Sequence, residues 1–184
     1  MVLHSYAPEW SYEETKQKIL SISDRPTKFF AGLAYVLGGR LNEVKNLRPS
    51  DIRIIKNKAG EDRILVSLLA LKNDNIERRN VVVNPIKESE YASMLFYFMN
   101  EYEPKEQPMQ KLSDRTYQRR LKKYLDIHPH ALRHLRVHHV DDKEVPGMQG
   151  LTPRQFKDLF GWELIETSAH YQSRTRGKDL TELF

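Results

Sequence analysis

The sequence predicts an α+β fold: a mostly helical domain with one small three-stranded antiparallel sheet. Helical periodicity, bounded by capping residues, fills most of the 184 residues. Only one stretch, residues 50–85, changes period: its β-branched runs are broken by Ala-Gly and by Asn-Asp-Asn. No internal repeat, low-complexity tract or linker divides the chain, so it reads as one unit over residues 1–184.

Each element has a local reason. "YAPEWSYEETKQKILSI" reads as a first helix, with Trp10, Ile19 and Leu20 among its apolar positions. "RPTKFFAGLAYVLGG" is a second, with Pro26 in its first turn and Gly38-Gly39 ending it. "RLNEVKNL" is a short third. The three strands follow, with turns expected near residues 57–62 and 72–77. "KESEYASMLFYFMNEY" returns to helix, and "EPKEQPMQK" is a loop. "SDRTYQRRLKKYL" is a basic amphipathic helix with Ser113 as N-cap. "HPHALRHLRVHHV" is the next helix, and "DDKEVPGMQG" a long connection. "LTPRQFKDLFGW" carries Thr152 at the cap and Pro153 at the first helical position. "ELIETSAHYQSR" is a last helix before the tail "TRGKDLTELF".

Composition bounds the function. Hydrophobic residues make up 39%, enough for a sizeable core. There is no cysteine, which excludes disulfides, thiolate catalysis and cysteine-held zinc. No apolar run approaches the roughly 20 residues that span a bilayer, so no membrane partner is expected. "MVLHSYAPEW" lacks the basic and apolar regions of a signal peptide, and the expectation is a cytoplasmic protein. The net charge is +5, and it is uneven: nine Lys or Arg stand against three acids between Lys105 and Arg136. Such clustering suits a phosphate backbone, although a solvated helix face reads equally well on charge alone.

"HPHALRHLRVHHV" holds five of the seven histidines. His130, His134 and His138 recur every fourth residue and share a helical face. A zinc site is one reading. The missing H-E-x-x-H glutamate and the intervening Arg133 and Arg136 argue against it, and no metal or other cofactor is expected. His128, His138 and His139 read as surface or core groups. His130 beside Arg133 suits an oxyanion better: the guanidinium offers paired donors, and the imidazole can move a proton near neutral pH. Further candidates are Arg40 after the Gly-Gly pair, Glu43 three residues on, Lys72 at the second hairpin, Trp162 and Tyr171. Alone, each has a bland reading. Tyr171 is one of nine tyrosines, Trp162 suits core packing, and Lys56 and Lys58 compete with Lys72.

Taken together, these residues resemble the catalytic domain of the tyrosine recombinases, the phage-integrase family. "GGRLNEVKNLRPSDI" resembles its first box, G-x-R-x-x-E followed by L-x-x-x-D. "HALRH" resembles the H-x-x-R box. "LFGWELIETSAHY" resembles the third, with Trp162 where histidine is commoner. The resemblance covers roughly residues 10 to 175. The connection at 141–150 is longer than the family's usual one. The N-terminal domain that completes the DNA clamp is missing, so the chain reads as a fragment or an unusually short protein.

The resemblance implies a fold, a reaction and a site. The fold is the recombinase catalytic fold. The reaction is metal-independent DNA cleavage and rejoining through a 3′-phosphotyrosine. Tyr171 would be the nucleophile, Arg40 and Arg133 the phosphate clamp, Lys72 the general acid, His130 a hydrogen-bond partner or base, and Trp162 a donor or packing residue. Glu43 and His134 would hold these groups in place. The basic helix would meet DNA through Arg115, Arg119, Arg120, Lys122 and Lys123. The implied partners are double-stranded DNA carrying a specific site and three further copies in a synaptic tetramer, with a monomer off DNA. Leu180, Leu183 and Phe184 in the tail, 175–184, would dock on a neighbouring protomer. A nucleoid-associated cytoplasmic location follows. Two alternatives stay open: an inactive DNA-binding module of the same fold, and relaxation of supercoils like a type IB topoisomerase.

Overall fold

The structure is a computed structural model. It describes residues 7–72, 75–101 and 112–161, with backbone only at 70–72, 75–76 and 101. Among them are seven α-helices: α1 (Tyr12–Leu20), α2 (Arg25–Val36), α3 (Leu41–Lys45), α4 (Ser89–Glu101), α5 (Asp114–Leu125), α6 (Pro129–Asp141) and α7 (Pro153–Phe160). A 3-10 turn at Pro49–Asp51 leads into β1 (Ile52–Lys56), β2 (Asp62–Lys72) and β3 (Asn75–Val83). The sheet is antiparallel in the order β1-β2-β3. The α+β expectation holds, and no described helix is long and apolar enough to cross a membrane.

α2 is the central helix. Asp24 caps it by accepting the Thr27 N–H at 3.0 Å, and Phe30, Leu33, Ala34, Tyr35 and Leu37 are all buried. α4 adds Tyr91, Leu95 and Phe98, an i, i+4, i+7 stripe. α5 adds Tyr117, Leu121 and Leu125, and the Tyr117 ring stacks on Phe30 at 4.1 Å between centroids. In the sheet, Ile64, Val66 and Leu68 of β2 alternate inward with Val81 and Val83 of β3.

Three details differ from expectation. α1 begins at Tyr12 and not near Tyr6, because Ser11 accepts the Glu14 N–H at 3.2 Å and caps the helix there. The second hairpin is tighter than 72–77, since Lys72 pairs directly with Asn75. Arg133 and Arg136 add nothing to a surface charge patch: both are buried. Their face of α6 turns inward, and Arg136 donates to Glu88 Oε1 and Oε2 at 2.6 and 3.0 Å. Beside that pair, His139 reaches the Trp10 carbonyl with Nε2 at 2.6 Å and the Tyr35 hydroxyl with Nδ1 at 2.7 Å. The carbonyl can only accept, so Nε2 carries the proton and Nδ1 accepts from the tyrosine. Burial holds His139 below the ordinary histidine range.

Candidate active site

The site is built around the end of α2. Gly38 turns the chain at φ +53°, a left-handed conformation that favours glycine. A Cβ on it would also lie 2.6 Å from the Phe160 ring, and one on Gly39 would lie 2.4 Å from Val44. The chain then enters α3 with Arg40 as N-cap residue. An arginine side chain has no acceptor, so it cannot cap. Glu43 does half of a capping box by itself: its Oε2 accepts the Arg40 backbone N–H at 2.9 Å. Its Oε1 accepts from Arg40 Nη1 at 2.8 Å. Glu43 is 3% exposed and the Arg40 side chain 37%, so a buried carboxylate orients a guanidinium open to solvent.

α6 brings the second group. Pro129 starts it, and the His128 ring accepts the His130 N–H at 3.3 Å. Arg133 donates from Nη1 to the Gly38 carbonyl at 2.6 Å and from Nη2 to the Phe160 carbonyl. The His130 ring meets His134 edge to face, 4.5 Å between centroids. Partial desolvation, then the positive charges of Arg133 and Arg40, hold His130 below the usual histidine range. It is therefore mainly neutral at pH 7 and can take up a proton or donate one. Arg40, Glu43 and Arg133 thus gather around one glycine turn, with His130 within reach of both guanidinium charges and His134 against the His130 ring. Among the described residues no group of three or more His, Asp or Glu side chains could hold a metal ion.

Sequence reasoning missed Arg79. It lies on β3 at the inward parity of Val81 and Val83, and that parity was the available signal. Arg79 is 7% exposed. Its Nη2 lies 2.8 Å from Glu43 Oε2, 3.0 Å from the Gly38 carbonyl and 3.2 Å from the Leu37 carbonyl. Its Nη1 donates to the Leu159 carbonyl at 2.6 Å. Burial alone would raise the Glu43 pKa. The Arg79 charge and hydrogen bond, the Arg40 N–H and the Arg133 charge outweigh it and hold the carboxyl below the usual range. The carbonyl ends of α2 and α7 face each other here, and two guanidiniums between them answer the negative ends of both helix dipoles.

The remaining candidates are placed unevenly. Lys72 ends β2, where its backbone pairs with Asn75. Trp162 and Tyr171 lie outside the described residues, as does the tail at 175–184. α7 ends at Phe160, with Gly161 as its left-handed C-cap. On α5, Arg115, Arg119, Lys122 and Lys123 are exposed. Lys122 pairs with Asp126 at 2.5 Å, and Lys123 lies over the Tyr124 ring. Arg120 is turned inward to Asp24 at 2.9 Å and ties α5 to the start of α2.

No family profile matches the sequence, and no curated protein sequence matches it. Solved structures do. The chain aligns over 88% of its length with the XerH site-specific recombinase bound to difH substrate, at 15% identity and a TM-score of 0.62. It aligns over 86% with Flpe in a Holliday-junction complex (20%, TM-score 0.55). It aligns over 93% with the Tn1549 transposon integrase bound to circular-intermediate DNA (16%, TM-score 0.57). These alignments cover 49%, 46% and 64% of the respective proteins, so the chain spans about half the length of the first two. The fold is that of the tyrosine-recombinase catalytic domain.

Proposed function

We propose that this chain is the catalytic unit of a tyrosine-type site-specific DNA recombinase, over residues 1–184. One observation carries the reading. Arg40 and the His130–Arg133 pair, brought from two distant segments, flank one glycine turn on a fold shared with recombinases.

Cleaving a phosphodiester without a metal needs an in-line nucleophile, neutralisation of charge growing on the phosphate, and a proton for the leaving oxygen. Tyr171 attacks the phosphorus, the P–O5′ bond breaks, and a 3′-phosphotyrosine forms. Arg40 and Arg133 hold the non-bridging oxygens where charge develops. Losing such a donor costs on the order of 3 kcal/mol of barrier. Lys72 protonates the departing 5′-oxygen. Neutral His130 takes the phenol proton or donates to the phosphate, and His134 supports its ring. Trp162 has only an indole N–H to donate and packs the nucleophile in place. Rejoining runs the same steps backward. Strand exchange uses double-stranded DNA with a specific site and four protomers, with the tail at 175–184 reaching a neighbour and a monomer as the unbound form. The work is done where the DNA is, in the nucleoid region of the cytoplasm.

A second reading, a module of this fold that binds DNA without cutting it, is favoured by Arg133, which is buried and donates to two carbonyls. Trapping on nicked duplex DNA separates the two. A denaturation-resistant protein–DNA adduct that disappears in Tyr171→Phe supports the proposal. DNA binding with no adduct sinks it in favour of the module. An adduct accompanied by supercoil relaxation from monomers, without exchange, would assign the topoisomerase reaction.

A further inference from the structure

We infer that Arg79 is a positioning residue for the phosphate clamp: through Glu43 it sets the Arg40 guanidinium, and through the Leu159 carbonyl it ties that guanidinium to the end of α7. This assignment rests on the proposed function. Arg79 has no solvent-facing role, being 7% exposed, and β3 carries it among valines. A cation costs free energy in such a place unless its neighbours use it. Here they do. Glu43 Oε2 is shared between the Arg40 backbone N–H and Arg79 Nη2, leaving Oε1 for Arg40 Nη1. Without the Arg79 charge and hydrogen bond, burial pulls Glu43 toward its neutral acid against weaker opposition from the Arg40 N–H and the Arg133 charge. A neutral Glu43 holds the Arg40 guanidinium more weakly. The same Arg79 fork reaches the carbonyls of Gly38 and Leu159, on the two helix ends that Arg133 also joins. The fit is close: a Cβ on Gly161 would lie 2.7 Å from Arg79 Cδ.

Lysine in place of arginine keeps one charge but has a single head, which cannot span Glu43 and the two carbonyls together. The test uses the full chain with Arg79→Lys, and separately Glu43→Gln, which keeps volume and removes the charge. Adduct formation is timed on a synthetic duplex carrying the sequence at which wild-type adducts map. Each variant is expected to slow adduct formation roughly 10- to 100-fold with DNA affinity unchanged. The double variant should be no slower than the worse single. A second duplex has a neutral methylphosphonate at the cut position, which removes the charge Arg40 answers. On it the deficit should shrink to within about threefold, since the clamp is no longer required. A deficit equal on both duplexes, or multiplying in the double variant, would overturn the assignment and leave Arg79 a purely structural residue. If Arg79→Lys does not fold, Glu43→Gln on the two duplexes decides the matter alone. Wild-type rates in Arg79→Lys remove this assignment but not the recombinase reading; absence of any wild-type adduct removes both.

Discussion

Replacing Glu88 by leucine strands a charge in the centre of the domain. Glu88 and Arg136 are each 1% exposed in their side chains, and two hydrogen bonds of 2.6 and 3.0 Å join them. Charged hydrogen bonds contribute about 1.5–3 kcal/mol each. Breaking a buried pair from one side costs about 3–5 kcal/mol, because the remaining ion keeps its desolvation penalty. Against a domain stability of about 5–15 kcal/mol, that is roughly a fifth or more of the total. For a chain of this size it corresponds to a fall in Tm of about 6–20 °C. Thermal and urea unfolding followed by far-UV circular dichroism would measure it. Removing both partners in Glu88→Leu/Arg136→Met leaves no buried ion; the Tyr12 hydroxyl, 3.5 Å from Glu88, loses that acceptor, and Met148 Sδ and the Tyr35 ring lose the Arg136 guanidinium. The double variant should therefore stand within about 1–2 kcal/mol of wild type. A single variant losing under about 1 kcal/mol, or a double whose loss equals the sum of the singles, would refute this account. Arg136 sits three residues after Arg133, so the pair also braces the helix that carries the site.

His139 and His130 both lie below the ordinary histidine range in the folded state, so the unfolded chain binds more protons as pH falls. Stability is fully present above about pH 6.5 and should decline as pH drops through that value, with a shallower slope in His139→Gln measured by urea midpoints. Gly38→Ala should lose about 1–3 kcal/mol, from φ +53° and a 2.6 Å approach to Phe160; an unchanged Tm would show that the turn relaxes. Arg115→Ala/Arg119→Ala should weaken DNA binding on all sequences alike and reduce the salt slope of log K by about 1.8, read by titration across salt concentrations. Lys72→Met should abolish adduct formation on an ordinary duplex while Lys56→Met, whose lysine pairs with Asp62 at 2.7 Å in the other hairpin, should not; equal loss would move the general acid elsewhere.

Local rules carried most of the fold. Ser113, Thr152, Pro153 and the Gly38-Gly39 stop stand where capping chemistry puts them, because a cap needs only the next few backbone groups. The change of period at residues 50–85 marked the sheet for the same reason. The start of α1 was illegible, since the apolar residues before Ser11 pack on the core without being helical. Charge was misread where partners are remote. Arg136 looks like part of a basic face until Glu88, in the turn just before α4 and 48 residues away, pairs with it.

The candidate site divides in the same way. The sequence by itself determined which chemistry the chain could hold: Arg40 behind a glycine turn, Glu43 one helical turn on, and His130 with Arg133 on one face. These are short-range relations set by helix geometry and residue type. Only the tertiary structure decided that the two segments meet at Gly38, that partial burial and then two guanidiniums hold His130 below the usual histidine range, and that Arg79 shares Glu43 with Arg40. Those facts depend on two helix ends facing each other across the β3 strand, and no local rule encodes the distance between carbonyls of residues 38 and 160.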